Sequence, residues 1–447
     1  MSSYTLQILT WIFVLSFICL NVQCKEILAN YSPNYRQLDC KYDLPTSDQI
    51  CDCTNRNKNY FLPLFNGNIN NLKVQNCKNV LVTLNTFRDV DHIEHIHFTN
   101  IKELTLEAHS LGFKRQLPVP KIKLIFTNVY FSEIVPYSIG GGIDSITFNN
   151  CYIKKLNAYA INSVYETVYL IAFENTGIDV IESQALKKLD IEHFIMRNTT
   201  IWSHFPSRAF SALTITHEIS ISNCTFATIS SHAIELDHVS DFIFSNNKVD
   251  LLDGEAFQMN ANGRILIERN NFTQMSHSAL SAINVDRPNS ARQRNMEIQF
   301  TSNDIFKTDH PIRFDLARDI NIRILNLKFS NIIDCDKAKE LRNNGFLQQY
   351  AETIYFRIGT PTDGYSSLSS ILSNRCANTT YLIAIISVAI VLLLILVIVG
   401  VAIFYRFWWM KRKPNQQISM IIPDGKTYRE TQIMIQIENA GLLKTNL

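Results

Sequence analysis

Ile146–Ile161 reads ITFNNCYIKKLNAYAI, and three later segments superimpose on it without a gap. They are ISISNCTFATISSHAI (Ile219–Ile234), FIFSNNKVDLLDGEAF (Phe242–Phe257) and ILIERNNFTQMSHSAL (Ile265–Leu280). The shared frame is apolar-x-apolar-x-Asn-(Cys/Asn)-x-apolar-x-x-apolar-x-x-x-Ala-apolar. Its fifth position can be followed through Asn76, Asn100, Asn128, Asn150, Asn175, Asn198, Asn223, Asn246, Arg269, Ser302 and Asn331. The spacings are 24, 28, 22, 25, 23, 25, 23, 23, 33 and 29 residues. A period held mostly in the low twenties is that of a solenoid, in which each unit buries its apolar face against its neighbours.

The frame has a direct physical reading. Alternation of apolar and polar residues gives a short parallel strand whose inward side chains fill a shared core. The sixth-position Asn or Cys turns inward and has to satisfy neighbouring backbone groups. Cys77, Cys151 and Cys224 all stand there and read as buried thiols rather than as partners of one another.

These residues resemble the leucine-rich repeat family. Its L-x-x-L-x-L-x-x-N/C-x-L frame maps onto Ile143, Ile146, Phe148, Cys151 and Ile153. It maps again onto Ile191, Phe194, Met196, Thr199 and Ile201, and onto Val239, Phe242, Phe244, Asn247 and Val249. The resemblance covers about residues 69 to 335 and implies a horseshoe of short parallel strands. Departures are plain: Ile, Phe and Val replace most leucines, and the Asn/Cys position holds Thr176, Thr199 and Val129. The persistence of the fifth-position Asn favours a rival, the right-handed parallel β-helix, with inward asparagine ladders. The apolar residue five places past the Asn/Cys site (Leu156, Ile181, Ile229) favours the leucine-rich frame.

Two apolar runs set the topology. Ile8–Leu20 is too short to span a bilayer and reads as a secretory signal, with cleavage near Cys24. Leu382–Phe404 contains no charge and is long enough to cross. Arg406, Lys411, Arg412 and Lys413, with Trp408 and Trp409, follow it and mark the cytoplasmic side. The expected order is signal peptide 1–24, Cys-containing N-terminal cap 25–68, solenoid repeats 69–334, C-terminal cap and juxtamembrane stalk 335–381, transmembrane helix 382–404 and cytoplasmic tail 405–447. The expected topology is that of a single-pass type I protein of the plasma membrane with its N-terminus outside.

An oxidising exterior suits disulfides in the caps. Cys40, Cys51 and Cys53 before the repeats, with a Cys-x-Cys resembling a leucine-rich repeat N-cap, leave an odd thiol that Cys77 or Cys24 would have to pair. Cys335 and Cys376 are placed to staple the other end. Sequons stand at Asn30, Asn198, Asn223, Asn271 and Asn378, all on the outer side.

No catalytic, cofactor-binding or metal motif is legible. His92, His95 and His97 are the one concentration of titratable groups and read as surface histidines. The outward strand positions Thr147, Asn149, Ser220, Ser222, Ile243 and Ser245 are small and mostly uncharged, without the carboxylate cluster of a polysaccharide-cleaving β-helix. A net charge of +2 gives no reason to expect nucleic acid. Asp286–Asn295 is a basic loop. The short tail carries Glu438-x-x-x-Leu442-Leu443, like an acidic dileucine signal read by clathrin adaptors, and ends Thr445-Asn446-Leu447, like a PDZ ligand. The expected function is non-enzymatic recognition of an extracellular protein ligand by an adhesion molecule, receptor or co-receptor. The alternatives are a membrane-tethered β-helix protein acting on or binding polysaccharide, and a purely structural surface protein.

Overall fold

The computed structural model describes residues 35–411 apart from 55–57, 114–121, 165–166, 287–295, 309–311 and 360–363. The signal peptide, Asn30, most of the basic loop and the tail motifs lie outside the described residues. The chain forms two units, residues 1–377 and 378–447.

The first unit is a parallel β-solenoid of about 12 turns. One turn shows the build: a first wall Ile143–Asn149, a second wall Tyr152–Leu156 and a third wall Ile161–Val164. The next turn repeats it with Val168–Glu174, Gly177–Ile181 and Leu186–Lys187. Each wall pairs in parallel with its counterpart: Ile146 with Ile171, Phe148 with Phe173, Ile153 with Ile178, Ile161 with Leu186. The third wall recurs from Leu111–Phe113 as far as Ile283–Val285.

Pairing in register puts each side chain on its equivalent one turn away. The third frame position therefore becomes a column of phenylalanines: Phe98–Phe126, Phe126–Phe148 and Phe148–Phe173 stack with centroids 5.4, 4.9 and 4.9 Å apart. Flat rings and β-branched side chains fill such columns and suit pleated walls. Leucine accordingly takes no place in this column, which continues from Phe173 through Met196, Ile221, Phe244, Ile267 and Phe300.

The first corner explains the recurring asparagine. Asn76, Asn100, Asn128, Asn150, Asn175, Asn198, Asn223, Asn246, Arg269, Ser302 and Asn326 all have φ between 50° and 57°. This is the left-handed region, where Asn is the least costly residue after glycine. The side chains point to solvent and bridge turns, as in Asn128 Nδ2 to Asn100 Oδ1 at 2.9 Å and Asn198 Nδ2 to Asn175 Oδ1 at 3.1 Å. So the fifth position is neither free to drift nor turned inward; it is held by backbone conformation. The last member is Asn326, whose Nδ2 donates to Ser302 Oγ at 3.2 Å, and not Asn331. Asn331 instead falls inside the strand Leu327–Ile333.

A second left-handed corner precedes the frame alanine. Tyr159, Gln184, Arg208, His232 and Glu255 have φ of 55° to 61°, and the alanine N–H closes a turn, as Ala160 does onto the Asn157 carbonyl at 3.2 Å. Positive φ at the third turn residue is the type II arrangement. Non-Asn residues tolerate it because each N–H is taken by the next turn's carbonyl: Tyr159 to Gln184, Arg208 to His232, His232 to Glu255, each at 2.8 Å. Ala160, Ala185, Ala209, Ala233, Ala256 and Ala279 are completely buried inside this corner.

The sixth position is inward and satisfied, as its chemistry requires. Thr176 Oγ1 donates to the Phe148 or Glu174 carbonyl (3.2 and 2.9 Å), and Cys224 Sγ lies 3.5 Å from the Met196 carbonyl. Asn247, Asn270 and Asn303 form a buried ladder. Asn270 Nδ2 donates to the Phe244 carbonyl at 2.8 Å while its Oδ1 accepts from the Asn247 N–H at 2.9 Å.

Both ends are closed by covalent and antiparallel elements. Cys40–Asp43 pairs antiparallel with Asp48–Asp52, and Cys40–Cys51 bridges the two. Asp48–Asp52 already stacks in parallel on Asn66–Val82, so solenoid pairing reaches into the segment read as a cap, and Cys53–Cys77 joins the two turns. At the other end Ile354–Ile358 extends the stack and pairs antiparallel with Tyr365–Ser367. Helices Cys335–Arg342 and Gly345–Gln349 precede it, and Cys335–Cys376 closes this end. Cys77 is thus a disulfide partner, whereas Cys151 and Cys224 are buried free thiols. The second unit contains a candidate transmembrane helix, Leu382–Lys411, within the helix Ala377–Lys411. The helix runs past the apolar run through Trp408 and Trp409.

Three outcomes follow. Asn270→Ala removes a buried donor and acceptor and should cost about 2–4 kcal/mol, from about 1–3 kcal/mol per orphaned group. At the exposed corner, Asn175→Gly should be within about 0.5 kcal/mol of wild type, and Asn175→Val should lose about 1–2 kcal/mol. Denaturant unfolding measures both; equal losses for Gly and Val would refute the corner's role. Burial pushes the thiols of Cys151 and Cys224 up to about 11 and about 12. Iodoacetamide should therefore leave both unmodified in the native chain and alkylate both in denaturant, read by peptide mass mapping.

Candidate recognition surface

Outward residues of the second wall also stack into columns, and between about residues 106 and 205 several are aromatic. Tyr130 and Tyr152 stack at 5.5 Å with their rings 11° from parallel. Register then places Gly177 and Thr200 beneath Tyr152. With no side chain at Gly177, Trp202 leans back across it and reaches Tyr152 at 5.6 Å. A methyl at Gly177 would overlap the Trp202 ring and touch Tyr152. Trp202 remains 54% exposed, Val180 40% and Tyr152 36%. An indole more than half in water on a rigid wall is a costly feature to maintain without a partner.

The rim of the same wall carries a second column on the left-handed corner. His109 stacks on Tyr137 and Tyr137 on Tyr159, both at 5.6 Å. Tyr159 is pinned by its hydroxyl donating to Gln184 Oε1 and by Lys187 Nζ 5.0 Å above its ring. Between the columns Lys155 meets Glu182 at 2.7 Å. The Lys155 ammonium and the Ala158 N–H hold the Glu182 carboxyl below the usual range. Asp179 accepts from the Tyr152 hydroxyl, which with the nearby carboxylate charge pushes that phenol up to about 12.

The sequence-derived candidates fall elsewhere. Thr147, Asn149, Ser220, Ser222 and Ile243 are half-buried on the outward face of the first wall, and Ser245 is buried there. His95 and His97 lie on that face too; His97 pairs with Thr127 Oγ1 at 3.1 Å, and burial, with the Lys73 charge, lowers its basicity. His92 sits 3.3 Å from Glu94. The three histidines do not converge. Asp286, at the start of the basic loop, holds His238 at 2.6 Å. Asn198 and Asn223 are exposed on the first corner, one turn apart, and Asn271 is exposed on the second wall. Asn378 lies in the helix of the second unit. Tyr130, Tyr152, Gly177 and Trp202 were absent from the sequence candidates. Aligning the seventh to ninth frame positions, rather than the strand positions before the Asn, is the signal that finds them.

No family model matches the chain, and no curated protein matches it.

The Tyr152–Asp179 contact gives a pH test. A phenol raised in the folded state adds stability that is present below about pH 10 and lost as pH rises through about 12. Asp179→Asn should move one tyrosine's ionisation from about 12 back towards 10 in an ultraviolet titration. Superimposable titrations of the two proteins would refute the contact.

Proposed function

We propose that this is a non-enzymatic cell-surface recognition protein whose solenoid binds an extracellular protein ligand through the second wall. The observation that carries the reading is the outward Tyr130–Tyr152–Trp202 cluster on a rigid parallel wall, with Tyr152 and Trp202 exposed and Tyr130 half-buried. Trp and Tyr dominate the energetics of protein interfaces, and a pre-ordered wall lowers the entropy lost on binding. The chain is then a single-pass type I protein of the plasma membrane, with the solenoid outside, glycans at the exposed sequons, and a tail available to clathrin adaptors or PDZ domains. A candidate membrane-spanning helix and three disulfides are consistent with that orientation.

Within the solenoid class, strands on three walls of most turns support a β-helix coil over the leucine-rich horseshoe, which has one strand line per repeat. That geometry keeps a second reading, polysaccharide binding through the same aromatic rings. The two part on the ligand.

A display screen of secreted and membrane proteins with the tetramerised ectodomain should return a protein ligand. Trp202→Ala should then weaken it by about 2 kcal/mol or more, roughly 30-fold, while Ser220→Ala leaves it unchanged. A ligand indifferent to Trp202→Ala would remove the proposed surface; binding or turnover of a glycan instead would favour the second reading.

A further inference from the structure

Between the first walls of two successive turns, three metal-ligating side chains converge that are separate from the aromatic surface. Glu192 and His193 belong to the strand Asp190–Arg197, and His217 to the strand Phe210–Ser222. One ligand atom from each lies within 4.8 Å of the others. The imidazoles of His193 and His217 stack at 5.1 Å and 12°, and Tyr169 on the preceding turn sets its ring edgewise against His193 at 5.3 Å. Glu192 and His193 are half-buried, while His217 is exposed.

The backbone has a specific irregularity at this point. Ile191 pairs with Ile215 and His193 with Glu218, so Thr216 and His217 together stand opposite the single residue Glu192. The same two residues stand opposite Ser240 alone on the other side, between the pairs Ile215–Val239 and Glu218–Asp241. A strand that bulges against both neighbours carries one extra residue of its own. Such bulges re-aim side chains and gather at functional sites. Here the extra residue swings His217 out of its column and towards Glu192 and His193.

We propose that Glu192, His193 and His217 form a Zn²⁺ site. Two imidazole nitrogens and one carboxylate oxygen are the donor set zinc takes, and they do not suit Ca²⁺ or Mg²⁺, which need more oxygen ligands. Zn–N and Zn–O bonds of about 2.0–2.2 Å in tetrahedral geometry need ligand atoms about 3.4 Å apart. Closing from 4.8 Å takes side-chain rotation, and the exposed His217 is free to supply it. Three protein ligands leave the fourth position to water or to an incoming donor. Because the ligands come from two turns, the ion would pin those turns together.

The test uses untagged full-length chain in detergent micelles, stripped with chelator and titrated with Zn²⁺ alone by calorimetry. Wild type should bind one ion at this site and show a higher melting temperature with zinc. His193→Ala and His217→Ala should each weaken binding by at least about tenfold, since even outer-shell changes cost about 10–100-fold. Glu192→Gln should weaken it less, and both zinc and its thermal shift should be unaffected by His232→Ala, a histidine paired with Glu255 at another corner. Should an alanine variant fail to fold, His217→Asn reads the same loss with a smaller change of shape. Absence of zinc binding by wild type, or wild-type affinity in folded His193→Ala and His217→Asn, overturns the site.

Discussion

Parallel hydrogen bonding in register between successive turns is the constraint from which the rest of this structure follows. Once Ile146 is bound to Ile171 and Ile153 to Ile178, every position sits over its equivalent at strand spacing of about 4.8 Å. The chain is then a set of columns, and each column must be compatible with itself. Inside, self-compatibility means stacked phenylalanines and β-branched residues. At the corners it means a run of backbones sharing one left-handed conformation, with N–H groups handed from turn to turn. At the sixth position it means a polar column that is either capped onto carbonyls, as Thr176 is, or linked along its length, as Asn247, Asn270 and Asn303 are.

The solenoid, its period and its strands were legible because columns repeat residue types at fixed offsets, and four segments align without a gap. The inward role of the sixth position was legible for the same reason: a Cys, Thr or Asn recurring beside apolar neighbours has to face backbone groups. The fifth position was visible as a pattern but not as a cause. Conformational preference at φ near 55° and burial in a ladder both produce a recurrent Asn, and only backbone angles separate them. The end of that series was misplaced at Asn331 because Asn326-Leu327 and Asn331-Ile332 both lack a polar sixth residue, and only the positive φ of Asn326 separates them. The number of walls was hidden too, since the third wall is only two to five residues in several turns and carries little period of its own.

The functional surfaces were the least legible part, for a reason built into the fold. Trp202 meets Tyr152 only because Gly177 between them has no side chain, a relation spanning two turns. His217 meets His193 only because one strand carries an extra residue. Both depend on departures from the repeat, and a reading tuned to what repeats passes over them. The histidines that did draw notice, His92, His95 and His97, are close in sequence yet do not converge. Alternate strand positions share a face without sharing a site.

Stacking also sets a rule for charge on the outside. A column of like charges about 4.8 Å apart repels, so opposite charges on adjacent turns lower the energy. Arg197 lies over Glu174 in register and Arg264 reaches Asp241, at 3.7 and 3.5 Å, while Lys155 to Glu182 and Arg208 to Glu235 reach diagonally between turns at 2.7 and 3.7 Å; Glu218 and Asp241, by contrast, stand directly opposite each other. Each ion pair is partly in water and adds at most about 1 kcal/mol. Against that rule, His193 over His217 places two basic side chains in contact with one carboxylate beside them. A shared cation on that carboxylate and both rings is an arrangement that makes such a juxtaposition favourable, which is why the column's exception and its bulge belong to one argument.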